Sequence, residues 1–125
     1  MYSVTREEEI VLAQETDIRL HHPAAGCVTI EIKPVESGTG RYSFNQLVAA
    51  LQGQLVGQYM RAAESSHGIL VVAMLKPRQW NPPEGGSRIR FPEVLDRLNA
   101  IASEIVQSDR GVEKLCVIGI DFSET

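Results

Sequence analysis

The residue pattern predicts an α/β fold in which a mixed central β-sheet is flanked by two main helices, in the order strand, hairpin, helix, strand, helix, strand. Three observations carry that prediction. Residues 17–21 and 29–33 alternate polar and apolar side chains with the two-residue period of half-buried strands. Two later stretches, opening near Ser43 and at Pro92, repeat apolar residues at helical spacing. Residues 69–75 are apolar without alternation, as expected of a central strand covered on both faces.

At 125 residues and 43% hydrophobic composition, the chain is long enough for one compact domain with a single core. Its net charge of −4 excludes a uniformly basic nucleic-acid coat, so any such partner needs a local patch. The two cysteines, Cys27 and Cys116, sit far apart beside apolar runs, which reads as buried free thiols in a reducing compartment. The longest apolar run is too short to cross a bilayer, and no secretory signal pattern is present. A soluble cytoplasmic domain with no membrane partner is therefore expected.

In chain order, residues 2–7 favour a strand, and the following glutamates Glu7, Glu8 and Glu9 read as a solvated face. The strand at 17–21 and the strand at 29–33 are separated by a Pro-Ala-Ala-Gly break that lets them pair as a hairpin. His21 and His22, adjacent and pointing to opposite faces, make a poor metal pair and read as turn residues. Pro34 cannot donate to a ladder and is expected to close the second strand just after Lys33. Residues 36–41 form a loop, with Arg41 available for a phosphate contact.

Ser43 with Gln46 matches a capping box, starting a helix that runs to about Ser65 with Gly68 as its stop. Leu47, Val48, Leu51, Leu55 and Tyr59 make its apolar stripe, with Gln54 and Gln58 along one border. After the strand at 69–75, residues 76–90 form a long loop holding Lys76, Arg78, Arg88, Arg90 and the single Trp80. Basic groups interleaved with an aromatic can hold phosphates and stack a base, so these residues and Arg41 are the candidate nucleic-acid contacts; Trp80 capping the core edge is the bland alternative. Pro92 opens the last helix, whose stripe of Val94, Leu95, Leu98, Ile101, Ala102 and Ile105 reads as core. A turn at 108–111 leads to a second buried strand at 115–120.

With both apolar sets of the hairpin turned inward, Asp17, Glu31 and Lys33 share its outer, charged face. Two carboxylates and an ammonium are what a metal-dependent phosphodiesterase needs: hard oxygens for Mg²⁺ and a lysine to orient a water. Ordinary cross-strand charge pairing is the plain alternative on spacing alone.

Asp17 followed a hairpin later by Glu31-Ile32-Lys33 resembles the D…(D/E)xK signature of the PD-(D/E)XK, or restriction-endonuclease-like, nucleases. Gln54-Leu55 with Tyr59 resembles the glutamine-tyrosine helix motif of the exonuclease and repair branches of that superfamily. The likeness runs from about Thr16 to Leu75. Thr16 stands where the signature has proline, and Gln54 and Tyr59 are five apart where the motif has four. The resemblance implies a restriction-endonuclease-like core and Mg²⁺ or Mn²⁺ held by Asp17, Glu31 and the backbone carbonyl of Ile32. It also implies Lys33 orienting the attacking water and Gln54 assisting. It further implies a nuclease acting on nucleic acid, chiefly DNA, as an effector domain in defence or repair. The absence of a preceding acidic helix suggests a single domain excised from a longer protein, and many relatives act as homodimers. The alternatives are an inactive nuclease-fold module that binds nucleic acid or a protein, and a scaffold domain of the same class.

Overall fold

The computed structural model describes residues 3–6, 16–22, 26–35, 42–62 and 64–123, with side chains from residue 27 onward. Strands β1 (Ser3–Arg6), β2 (Thr16–His22), β3 (Gly26–Val35), β4 (His67–Met74) and β5 (Lys114–Asp121) form one mixed sheet in sequential order. β1, β2 and β3 pair antiparallel, whereas β3, β4 and β5 run parallel. Helix α1 (Phe44–Ala49), continued by a π-helix at Ala50–Met60, links β3 to β4; helix α2 (Phe91–Ser108) links β4 to β5. No helix of the described residues is long and apolar enough to cross a membrane.

Both parallel crossovers step in the same direction across the sheet, and right-handed connections then put both helices on one face. That face consists of Thr29, Glu31, Lys33 and Val35 on β3, in register with Gly68, Leu70, Val72 and Met74 on β4. Leu70 and Val72 continue the row to Val117 and Gly119 on β5. The core forms between these rows and Phe44, Leu47, Leu51, Leu55, Val94 and Leu98 of the helices.

This corrects three expectations. The Thr29, Glu31 and Lys33 row is not the outer face but the buried one, while Val28, Ile30 and Ile32 are only half-buried. β4 is not buried evenly on both faces: Leu70 and Val72 are fully buried, whereas Ile69 and Val71 are half-buried. β5 buries Val117 but leaves Ile118 and Ile120 45% and 41% exposed. The packed helices, and not the local alternation of β3, decide which of its two rows is buried.

Local signals fare better at the ends of elements. Ser43 caps α1 through the full box, its N–H donating to Gln46 Oε1 at 2.8 Å and its Oγ accepting from the Gln46 N–H at 3.2 Å. Pro92 lies in the first turn of α2. The helical path ends earlier than Ser65, however, with Glu64 in the left-handed region at φ 53° as its stop. Gly68 belongs to β4, where a Cβ would collide with Met60 of the π-helix. His21 and His22 end β2 and are not turn residues. β3 runs through Pro34 to Val35, both paired in register with β4, whereas the described ladder to β2 ends at Ile32. Cys27 is half-buried and Cys116 exposed, both as free thiols.

The edge strand β5 is held by α2 through Asn99, whose amide accepts from the Val117 N–H at 2.8 Å and donates to the Val117 carbonyl at 2.9 Å. One side chain thus occupies an edge position that another strand could otherwise pair with.

Candidate functional site

β2 and β3 pair so that Asp17 stands directly opposite Glu31, Arg19 opposite Thr29 and Ile18 opposite Ile30. Positions directly opposed in an antiparallel pair lie on one face of the sheet. Positions 17 and 31 therefore share the helix-covered face with Lys33; the side chain of Asp17 lies outside the described residues.

Glu31 is 0% and Lys33 1% exposed, and their charged groups meet at 3.2 Å between Nζ and Oε1. A buried ion pair of this kind is poor stabilisation, since removing both ions from water costs several kcal/mol each, on the order of what their attraction returns. The Lys33 ammonium also sits 5.6 Å from the centroid of the Tyr42 ring. Tyr42 has left-handed backbone, φ 58°, and its carbonyl accepts from Trp80 Nε1 at 3.0 Å. Tyr42 was not legible in the sequence: its position against Lys33 arises from β3, the start of α1 and the 76–90 loop meeting at one end of the sheet.

Two further buried oxygens, Thr29 Oγ1 and Gln54 Oε1, have no hydrogen-bond partner among the described residues. Leaving such a group unsatisfied costs about 1–3 kcal/mol, so each is a natural anchor for a water, an ion or a ligand. Thr29 could have been found from the sequence, because it lies two residues before Glu31 and strand alternation puts it on the same face.

Gln54 lies on the π-helix, which packs against β3 and β4. The π geometry changes which residues travel with it. Positions five apart diverge by about 140° around an α-helix but by about 50° in a π-helix of roughly 4.4 residues per turn. Gln54 and Tyr59 are accordingly both half-buried and Gln58 is exposed, the reverse of the pairing expected from an α-helix. The same phase shift buries Leu51, Leu55, Val56 and Met60 in place of a stripe ending at Tyr59.

Glu31, Thr29 Oγ1 and Gln54 Oε1 are buried oxygens, and position 17 stands opposite 31; oxygen donors of this type suit Mg²⁺ or Mn²⁺ better than a thiophilic metal. Among the described residues no group of three or more His, Cys, Asp and Glu gathers as a ready metal site.

The expected nucleic-acid contacts separate. Trp80 is 1% exposed, stacked on Phe91 with centroids 5.8 Å apart, and paired through its backbone with Ile89. It is a core strut and offers no face to a base, because the loop folds back over the end of the sheet and uses the indole to close it. Arg78 is half-buried, its guanidinium 4.9 Å from the Trp80 ring centroid, while Lys76, Arg88 and Arg90 are exposed. Burial also lowers the Arg78 pKa from its ordinary value. Arg41 lies outside the described residues.

No protein family, curated protein or solved structure matches the chain.

Proposed function

We propose that this chain is a metal-dependent nuclease domain of the PD-(D/E)XK kind, hydrolysing phosphodiester bonds in DNA as an effector of defence or repair. The observation that carries the reading is the buried Glu31–Lys33 pair, 3.2 Å apart, on the sheet face where Asp17 is the register partner of Glu31. A carboxylate and an ammonium kept fully buried at little or no gain in stability point to chemistry.

In this reading Asp17, Glu31 and the Ile32 carbonyl hold Mg²⁺ or Mn²⁺, which when bound supplies charge neutralisation at the phosphate and acidifies a water. Lys33, held by Glu31 and the Tyr42 ring, orients that water and counters negative charge developing on the phosphoryl oxygens. Gln54 Oε1 accepts a hydrogen bond from the same water or from the Lys33 ammonium, which would satisfy a buried oxygen otherwise left bare. An inactive module that only binds nucleic acid is the second reading, favoured by the fact that Glu31 already has a counter-charge in Lys33.

Plasmid nicking with Mg²⁺, with Mn²⁺ and with EDTA, for the wild type, Lys33→Ala, Glu31→Gln and Asp17→Asn, separates the two. The expected result is metal-dependent nicking lost in all three variants, each checked for folding by circular dichroism. Nicking that survives Lys33→Ala, or none by the folded wild type with either metal, refutes the enzymatic reading.

A further inference from the structure

A second feature lies at the carboxyl ends of β4 and β5, where a groove of about 990 Å³ opens beside the N-terminus of α2. Arg78, Arg88 and Arg90 line it, together with Asp121, Pro92 and Leu95. In a chain of net charge −4 this is a local concentration of positive charge, three guanidinium groups against one carboxylate. Crevices outside the carboxyl ends of parallel strands are the usual ligand seats of open α/β sheets.

The arginines differ in how they are used. Arg61 is engaged by Asp109 at 2.9 Å, and Arg97 by Glu84 and Glu93 at 2.8 and 2.9 Å. Arg88 and Arg90 form no ion pair among the described residues and stand exposed on the groove. The loop that carries them is also fixed. Trp80 and Ile89 exchange backbone hydrogen bonds of 2.8 Å, and the Arg97 guanidinium grips both carboxylate oxygens of Glu84, at 3.0 and 2.8 Å. That grip has a second effect: it engages Glu84 and Glu93, the acidic groups closest in sequence to the groove arginines, and offsets one of their two charges. The first turn of α2 adds the positive end of a helix dipole, with no side-chain cap hydrogen bond and with Glu93 of that turn engaged by Arg97.

The groove reaches the Glu31–Lys33 pair through a short chain of contacts. Arg78 lies over Trp80, Trp80 donates to the Tyr42 carbonyl, and the Tyr42 ring faces Lys33. The positive surface and the buried pair thus share one end of the sheet.

We infer that the groove of Arg78, Arg88 and Arg90 seats the phosphodiester backbone of a nucleic-acid strand. Its identity as a nucleic-acid track rests on the nuclease reading, whereas its affinity for phosphate rests on the arginines alone. Because Trp80 is buried, the affinity comes from phosphate contacts and not from base stacking, and so depends steeply on salt.

The test is fluorescence anisotropy of a labelled single-stranded DNA oligonucleotide and of its duplex, measured in EDTA so that hydrolysis plays no part. The wild type is compared with Arg88→Ala/Arg90→Ala and with Arg110→Ala, an exposed arginine outside the groove. The double variant is expected to bind roughly 25- to 100-fold more weakly near 0.1 M salt, and to lower the slope of log K against log salt by roughly 1.5–2. Arg110→Ala is expected to bind as the wild type. Equal binding by the double variant, absent binding by the wild type at about 50 mM salt, or an equal loss in Arg110→Ala overturns the inference. Inorganic phosphate, added at constant ionic strength, distinguishes a free-anion pocket: full displacement of the oligonucleotide by millimolar phosphate overturns the strand assignment, and failure to displace supports it. Binding that depends on the arginines in a protein that never nicks DNA sinks the nuclease reading but leaves the groove. Nicking unchanged by a double variant that binds normally does the opposite.

Discussion

Lys33→Met is the most informative single perturbation. At 3.2 Å the Glu31 and Lys33 charges attract by about 5 kcal/mol at an effective dielectric near 20, while desolvating them costs several kcal/mol per ion. The pair therefore adds little net stability, yet removing one member takes from the other, still buried, its counter-charge at 3.2 Å. Lys33→Met should cost about 3–5 kcal/mol, lowering the melting temperature by roughly 10–20 °C for a domain of this size. Glu31→Leu/Lys33→Met should sit within about 1 kcal/mol of the wild type or above it, because two apolar side chains of similar volume fill the same space without the desolvation cost. Urea denaturation of the four proteins of this double-mutant cycle measures the coupling directly. If the double variant loses as much as the two single variants summed, the coupling is zero, and the two charges do not act as the buried pair this reasoning requires. If Lys33→Met costs under about 1 kcal/mol, the ammonium is not buried as described.

Trp80→Phe keeps the stacking on Phe91 but deletes the donor to the Tyr42 carbonyl, and should cost about 1–3 kcal/mol in urea denaturation; a neutral change would mean that the 3.0 Å bond does not hold Tyr42. Gly119→Ala puts a Cβ into the side chains of Leu95 and Phe91, lifting α2 from β5 at a cost of about 1–3 kcal/mol, readable in the same assay; unchanged stability would show slack at that contact. The Glu84 carboxyl is held below its ordinary pKa by the hydrogen bonds from Arg97. A carboxylate with a depressed folded-state value contributes stability above its unfolded value, and loses it as pH falls through the folded one. Melting temperature followed from about pH 5 to 3 should therefore fall less steeply in Glu84→Gln than in the wild type, the two curves converging in acid; parallel curves would contradict the clamp.

The hairpin of the site was legible in the sequence. Alternation at 17–21 and 29–33 with a Pro-Ala-Ala-Gly break between them placed positions 17, 31 and 33 on one face, while the register of Asp17 opposite Glu31 came from the structure. The capping box at Ser43 and the proline in the first turn of α2 were equally visible, because caps depend on neighbours three residues away. Tyr42 was not, because its place against Lys33 depends on segments far apart in sequence that meet only at the end of the folded sheet; the basic residues of the 76–90 loop were legible as one patch, whereas whether Trp80 faces a base or the core was decided only by burial.

By itself the sequence determined the α/β class, the element order, and the placing of an acidic and a basic side chain on one face of one strand, all consequences of local periodicity. The tertiary structure alone decided that this face is the buried one. The helical segment Ala50–Met60 packs on β3 and β4 while α2 packs on β5, so a charged row that local pattern assigns to water becomes a desolvated pair. It also decided the helical phase around Gln54, where i→i+5 winding sets Tyr59, not Gln58, on the half-buried side. Helix packing and helical pitch are properties of the whole packed chain, and no short stretch of residues encodes them.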